Sequence, residues 1–525
     1  MAHGPVAVMP RWPGWIAVAA ILSLTLGTLA LVAWRAEDSF GLGSGLGPAD
    51  WAAVRFTLLQ ATLSAVLSVA AAIPLARALA RRAFPGRGLL ITLLGAPFIL
   101  PVIVAVLGLL AVYGRNGFVS QGLSLIGAEP ISIYGLTGVV LAHVFFNMPL
   151  ATRFLLQGWL AIPAERFRLA ASLGFSASDT ARLLEWPMLR ATVPGAALVV
   201  FLICTTSFAV ALALGGGPAA TTVELAIYQA FRLEFDLSRA AFLSLVQVAI
   251  CTLAAALAFR FAIPAGFGAG LDRTRQRWDA AHWTLRAVDT AAILAATLFL
   301  LVPLALVVAR GFPALPDLSS ATFAAAGRSL WVAAISTALT GITALSLALL
   351  IQSLRRGAQL VEGIGYLSIA ASPLVIGTGL FIAIFPFASP VALALPVTAV
   401  VNTAMSLPFA LRALVPALAE AEAAHGRLAD SLGLTGWARL RLVLLPRLRR
   451  PLGFALGLAA ALSMGDLGVI ALFADPSEAT LPLLLYSQMS AYRMDDAAAS
   501  GLVLIALSLL AFWIFDRGGR ANAHA

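Results

Sequence analysis

The sequence predicts an all-α polytopic membrane protein of twelve transmembrane helices, laid out as two parallel six-helix repeats. Three observations carry that prediction. The 525 residues are 61% hydrophobic and only 11% charged, whereas soluble domains run near half apolar and about a quarter charged, so the apolar side chains exceed what a soluble core can hide and must meet lipid. Apolar runs close to the roughly 20 residues that cross hydrocarbon recur along the whole length. A signature also occurs twice: Arg168-Leu169-Ala170-Ala171-Ser172-Leu173-Gly174 and Arg427-Leu428-Ala429-Asp430-Ser431-Leu432-Gly433, 259 positions apart (433 − 174), each followed at the same distance by a proline, Pro187 or Pro446.

Taken in order, the predicted spans of the first half are Trp15 to Ala33, Phe56 to Ala76, Leu89 to Tyr113, Leu136 to Thr152, Val193 to Leu214 and Ala240 to Phe259. The first is longer than a typical signal-peptide core, and Trp34-Arg35 stands where small cleavage-site residues are expected, so it reads as an anchored helix. The second half supplies Ala291 to Val308, Leu330 to Ile351, Ile364 to Phe387, Val391 to Leu411, Leu452 to Phe473 and Gly501 to Phe515. The duplication runs well beyond the signature, pairing Pro149 with Pro408, Arg153 with Arg412, Arg190 with Arg449, Thr221 with Thr480 and Gln229 with Gln488 at the same offset. Such self-similarity marks an internal repeat. The resulting division is a first half over 1–262 with its signature loop at 162–190, a linker over 263–286, and a second half over 287–525 with its loop at 421–449. Six spans per half is an even number, so both halves enter from the same side and the two loops face the same way.

Charge sets the orientation. All 34 basic residues are arginine, and a cytoplasmic N-terminus places most of them on the inner side, in clusters such as Arg77, Arg81, Arg82 and Arg87, or Arg273, Arg275 and Arg277, or Arg439, Arg441, Arg447, Arg449 and Arg450; both termini are then cytoplasmic. The net charge of +10 follows from this topology and from contact with anionic lipid, not from nucleic acid binding. Cys204 and Cys251 both fall inside spans, which excludes a disulfide framework and a thiolate metal site.

Within the repeated loop, small Ala170 and Ala171 sit on a short helix, and Gly174 offers the positive φ that ends it. Ser176, with Asp179 three residues on, forms a capping box for a second short helix, and Thr435 stands ready to cap the counterpart. Pro187 and Pro446 mark the turn into the next span. Each loop thus reads as a helix-turn-helix elbow on the membrane surface.

A glycine followed by hydrophobic residues and a proline, preceded by a small-residue helix, as in Leu169, Ala170, Gly174, Leu184, Trp186 and Pro187 and again in Leu428, Ala429, Gly433, Val443, Leu445 and Pro446, resembles the cytoplasmic EAA loop of bacterial ABC importer permeases. The resemblance implies a type I importer fold, in which these residues couple the permease to two copies of an ABC ATPase, with a periplasmic binding protein as a further partner and the bacterial inner membrane as the location. The chain departs from the pattern in having Arg168 and Arg427 where the family has a leading glutamate. The stretches Leu136 to Arg153, with His143, Asn147 and Pro149, and Thr206 to Gln229, with Ser207, Gly215, Pro218, Glu224 and Tyr228, resemble the fused thiamine importer permeases. Ser463 to Gly468 is shared more widely, with iron(III) importer permeases.

A P-loop needs a lysine to reach nucleotide phosphates, and the chain has none. The chain is accordingly read as a non-enzymatic permease without a cofactor or metal of its own, ATP and magnesium being used by the partner. Charged and polar groups inside spans default to functional hypotheses. Asp466 is the candidate attractor for a cationic ligand such as thiamine or its phosphates, with Ser207, Asn147 and Asn402 completing the candidate pathway; interhelical hydrogen bonding is the competing role for His143, Asn147 and Asn402. An importer of iron(III) or another small solute is the alternative function. A secondary transporter ranks below it, since such proteins usually carry several intramembrane carboxylates, and a membrane enzyme lacks the necessary cluster of acid, base or metal ligands.

Overall fold

The computed structural model describes residues 10–40, 47–95, 99–130, 132–215, 217–260, 282–354, 356–369, 371–475 and 478–520. The predicted linker over 263–286 falls outside them up to residue 281, as do Arg273, Arg275, Arg277 and Gly216. The first half contains α1 (Trp12–Leu22), α2 (Thr28–Phe40), α3 (Pro48–Arg81), α4 (Arg87–Leu93), α5 (Val102–Tyr113), α6 (Phe118–Leu125), α7 (Leu136–Ala161), α8 (Ala164–Ser172), α9 (Ala177–Thr180), α10 (Trp186–Thr205), α11 (Phe208–Leu214), α12 (Val223–Arg232) and α13 (Leu237–Arg260). The second contains α14 (Trp283–Gly311), α15 (Ser320–Ser353), α16 (Ala358–Gly365), α17 (Pro373–Ile384), α18 (Ala394–Ser431), α19 (Gly436–Arg439), α20 (Leu445–Met464), α21 (Gly468–Phe473), α22 (Leu481–Ser490) and α23 (Met494–Arg520).

Among the described residues, 11 helices are long and apolar enough to cross a membrane. The predicted span Leu89 to Tyr113 is not one rod, being divided between α4 and α5, and neither is the remaining one, Ile364 to Phe387. It divides into α16, a 3-10 turn at Leu367–Ile369 and α17 of 12 residues, whose N-terminus is capped by the Ser372 hydroxyl accepting from Val375 N at 3.2 Å with Pro373 as its first residue. Proline at that position cannot donate backward, and Ser372 offers the backbone a cap in its place.

Most elements of one half have a counterpart in the other. The offset is 259 between Gly174 and Gly433 and 271 between Gly86 and Gly357 (357 − 86), all four of which take positive φ. Helix α6 lies where the register changes and has no counterpart. Equivalent tertiary caps recur: Val223 N, at the start of α12, donates to Thr57 Oγ1 at 2.9 Å, and Leu481 N, at the start of α22, donates to Ser329 Oγ at 2.9 Å. A hydroxyl from the long second helix of each half satisfies a donor that a helix start leaves open.

The first helices are exchanged between the halves. Helix α1 packs on α15, α2 packs on α17 as well as α13, and α14 packs on α3 and α5. Repeat-equivalent glycines admit the exchanged helices: a Cβ on Gly108 of α5 would lie 2.7 Å from the Pro303 carbonyl oxygen of α14, and one on Gly379 of α17 would lie 2.5 Å from Thr28 Cβ of α2. Small residues allow such close approach where lipid, not water, surrounds the bundle. Gly108→Ala is therefore expected to cost about 1–3 kcal/mol through overpacking against rigid backbone, read as a lower thermal midpoint in detergent, while Gly122→Ala in α6, whose Cβ meets nothing within 4 Å, does not lower the midpoint, alanine being the better helix former.

Candidate functional site

Two regions concentrate polar chemistry: the repeated elbows and a small interior cavity beside a break in the fifth span of each half.

In the first elbow, α7 ends at Ala161 because Pro163 follows, and α8 starts anew. Gly174 takes φ +69, and the predicted capping box forms: Asp179 N donates to Ser176 Oγ at 3.2 Å and Ser176 N donates to Asp179 Oδ2 at 3.0 Å. In the second elbow Glu422 occupies the position equivalent to Pro163, so α18 runs unbroken for 38 residues through the signature. Gly433 repeats the positive φ, at +64. Thr435 holds the N-cap position but makes no side-chain cap bond, and Ala438, where Asp179 stands in the first copy, cannot complete a capping box. Arg439 braces this elbow instead, its buried guanidinium donating to Glu422 Oε2 at 2.6 Å and to Asp430 Oδ1 at 2.5 Å. The same turn is thus held by a cap in one copy and by ion pairs to a buried arginine in the other.

The prolines do not mark turns into the following spans. Pro187 and Pro446 lie in the first turn of α10 and α20, directly after π-helical segments at Ala181–Glu185 and Leu440–Leu444 that continue the helix. A proline lacks the N–H for an i to i−4 bond and crowds the preceding carbonyl, and the wider π turn accommodates both.

Exposure divides the predicted coupling residues. Leu169, Gly174, Pro187, Leu428, Gly433 and Pro446 are exposed, whereas Ala170 and Ala429 are buried and face the protein. Leu173 and Leu183, together with their equivalents Leu432 and Leu442, are exposed large apolar side chains as well, joined by Trp186 and Trp437. Arg168 and Glu165 approach only to 3.9 Å and are both exposed, a pairing worth little in water.

Inside the bundle, α10 and α11 are separated at Thr206-Ser207, and α20 and α21 at Gly465-Asp466-Leu467. Beside these breaks lies a cavity of about 230 Å³ lined from α7 by His143, Phe146 and Asn147, from the α10–α11 break by Ser207, and from the second half by Ala461 and Gly465. Pro101 closes one wall: a Cβ on Gly465 would come within 3.2 Å of Pro101 Cα. The structure therefore gathers Asn147 and Ser207 but not all four predicted pathway residues. Asp466 is adjacent to the lining Gly465; its Oδ1 accepts from Gly468 N at 3.2 Å, and its Oδ2 is buried without a hydrogen-bond partner among the described residues. Asn402 turns to α20, donating to Ser463 Oγ at 3.0 Å. Asn147 donates to the His143 carbonyl at 2.9 Å and contacts Cys204 Sγ, the repeat equivalent of Ser463, at 3.4 Å.

Pro101 was not assigned to the site from sequence, whereas His143, read there as an interhelical hydrogen bonder, and Phe146 both line the cavity. His143 donates to or accepts from Ser64 Oγ through Nδ1 at 3.3 Å, while its Nε2 has no partner among the described residues. Beyond the breaks, at the ends of α10 and α20 remote from the elbow helices, Phe381 of α17 packs edge-on to Phe231 of α12 with centroids 4.4 Å apart and touches Phe473 of α21 at 5.7 Å. These rings tie the first half to the second.

Across 526 aligned residues the chain is 39% identical to the thiamine transport system permease protein ThiP of Brucella abortus, covering 98% of this chain and 96% of that relative. The chain belongs to the thiamine transport system permease family. The ThiP protein of Salmonella typhimurium is likewise 39% identical, with 97% of each chain covered, and that of Escherichia coli K12 is 38% identical over 98% of each. No family model matches. The similarity to ThiP proteins is nearly full-length, so the elbows, the paired breaks and the cavity all belong to the region shared with the family.

Proposed function

We propose that the chain is the transmembrane permease subunit of an ATP-driven importer that moves thiamine or its phosphates from a periplasmic binding protein to the cytoplasm of a bacterium across the inner membrane, with both termini cytoplasmic. The observation that carries this reading is near-full-length similarity to permeases named for thiamine transport. The two elbows support an ATPase pair, one copy on each, since the same exposed leucines recur in both loops. ATP and magnesium belong to that pair. Its closure moves the elbows, and the halves rock to change which side of the interior is open.

A cavity of about 230 Å³ is smaller than the roughly 300–1,000 Å³ of ligand pockets. Passage then requires expansion, by parting of Gly465 from Pro101 and of Phe381 from Phe231. Broken helices at a repeat interface are where transporters place their ligands, and the unpartnered Asp466 oxygen suits a cationic ring. Uptake into proteoliposomes holding the permease, ATPase and binding protein is expected to be competed by thiamine and not by iron(III); the opposite preference would overturn the assignment. Asp466→Asn is expected to raise the half-saturating thiamine concentration about tenfold, equivalent to ~1.4 kcal/mol, with ATPase activity retained. An unchanged half-saturation would remove Asp466 from the pathway.

A further inference from the structure

We propose that the crevice between the end of α3, α4 and the start of α14 is a binding site for an anionic phospholipid. The crevice has a volume of about 680 Å³. Its polar end holds three guanidiniums, Arg81, Arg82 and Arg286, and the neighbouring Asp289 carboxylate engages both Arg81 and Arg82, at 2.5 and 2.6 Å. Arg286 is exposed beside this pair. Its other walls are apolar: Leu89 of α4 and Leu294 of α14 line it and are exposed, with Leu301 farther along α14.

This pairing of charge and apolar wall matches one chemistry. Between Arg286 and Leu301, α14 advances 15 residues, about 22 Å at ~1.5 Å per residue, which exceeds the ~15 Å from the edge of the hydrocarbon to its middle. A phosphodiester seated at the arginines can thus lay an acyl chain along the whole apolar wall. Basic pockets between transmembrane helices take anionic headgroups in this way. The site also joins the two halves, since α14 is the exchanged first helix of the second half, and it lies at the elbow end of α3, where Arg77 Nε meets Glu185 Oε2 at 2.9 Å. A bound lipid would brace the exchanged helix where the elbow attaches.

The test is native mass spectrometry of the full chain released from detergent with added dioleoylphosphatidylglycerol or dioleoylphosphatidylcholine. The wild-type chain is expected to retain phosphatidylglycerol in preference to phosphatidylcholine. Arg286→Gln and Arg82→Gln are each expected to weaken that retention about fivefold, the equivalent of ~1 kcal/mol per basic residue at an anionic surface. Arg286 is exposed and Asp289 keeps Arg81 when Arg82 is replaced, so the fold survives both changes. Arg493→Gln, which removes a surface arginine paired with Asp496, serves as the control and leaves retention unchanged. Equal retention of the two lipids, or variants at Arg82 and Arg286 that hold phosphatidylglycerol as the wild type does, would overturn the proposal. Displacement of the lipid by inorganic phosphate would do so too, because it would make the apolar walls irrelevant. None of these readouts involves thiamine or the ATPase.

Discussion

Valine at Gly174 and Gly433 together is expected to abolish ATP-coupled uptake while leaving the transmembrane bundle folded. Both glycines hold positive φ, +69 and +64, and a Cβ at either meets nothing within 4 Å. Steric clash with neighbours is therefore absent, and the whole effect comes from forcing a β-branched residue into left-handed backbone. That strain is worth ~1–3 kcal/mol at each site, so ~2–6 kcal/mol across both, and the turn relaxes to another shape. An elbow whose exposed leucines no longer present the repeated pattern docks its ATPase at least about 30-fold less well. Co-purification of the ATPase and thiamine uptake in proteoliposomes measure this directly. Asparagine at the same positions, which tolerates positive φ, should restore most of both activities. Full transport by the double valine variant would show that the elbows do not couple ATP hydrolysis to movement.

The second large effect is expected at Asp289. Its carboxylate accepts from Arg81 Nε at 3.0 Å and Nη2 at 2.5 Å and from Arg82 Nε at 2.6 Å, and the Arg81 and Asp289 side chains are only 1% and 3% exposed. Asp289→Ala leaves a guanidinium buried without its counter-charge, which costs about 3–5 kcal/mol. A substantially lower thermal midpoint and a smaller monodisperse fraction in detergent are the expected readouts. The companion variant Arg81→Met with Asp289→Leu removes both charges and should recover much of that loss, because well-packed apolar replacements of a buried pair are often neutral. An Asp289→Ala chain as stable as the wild type would mean that Arg81 finds water or another partner. The effect reaches beyond stability, since this ion pair is a polar bond between α3 of the first half and the exchanged α14 of the second.

Much of the fold was legible in the sequence because hydrocarbon imposes a local rule: a helix long and apolar enough to cross is visible residue by residue. The elbows were legible for a different reason. Gly174 and Gly433 need no partner to explain them, and Ser176 with Asp179 forms a cap from residues three apart. Thr435 occupies the N-cap position without making the cap bond, and the Arg439 pairs that brace this elbow involve Glu422, 17 positions away. The Ile364 to Phe387 run reads as continuous by hydropathy, yet Ser372-Pro373 breaks it. Likewise Gly465 and Asp466 interrupt an apolar run that composition alone would carry through to Phe473. The outward face of the elbow also needed coordinates, since Ala170 and Ala429, small residues that suit a close-approach surface, turn out to face inward.

The polytopic helical character, the repeated signature and the paired elbows with their left-handed glycines follow from the order of residues alone, because each depends on neighbours within a few turns of helix or on comparing the chain with itself. Only the tertiary structure decided that the first helices change places between the halves, that Asn147 and Ser207 share a cavity with Pro101 and Gly465 while Asn402 turns away to Ser463, and that Arg81, Arg82 and Arg286 line one crevice. Those outcomes depend on which helix faces which, and an apolar helix in lipid carries little in its own sequence to name its partner: van der Waals fit at positions such as Gly108 and Gly379, and a few buried polar bonds, make that choice.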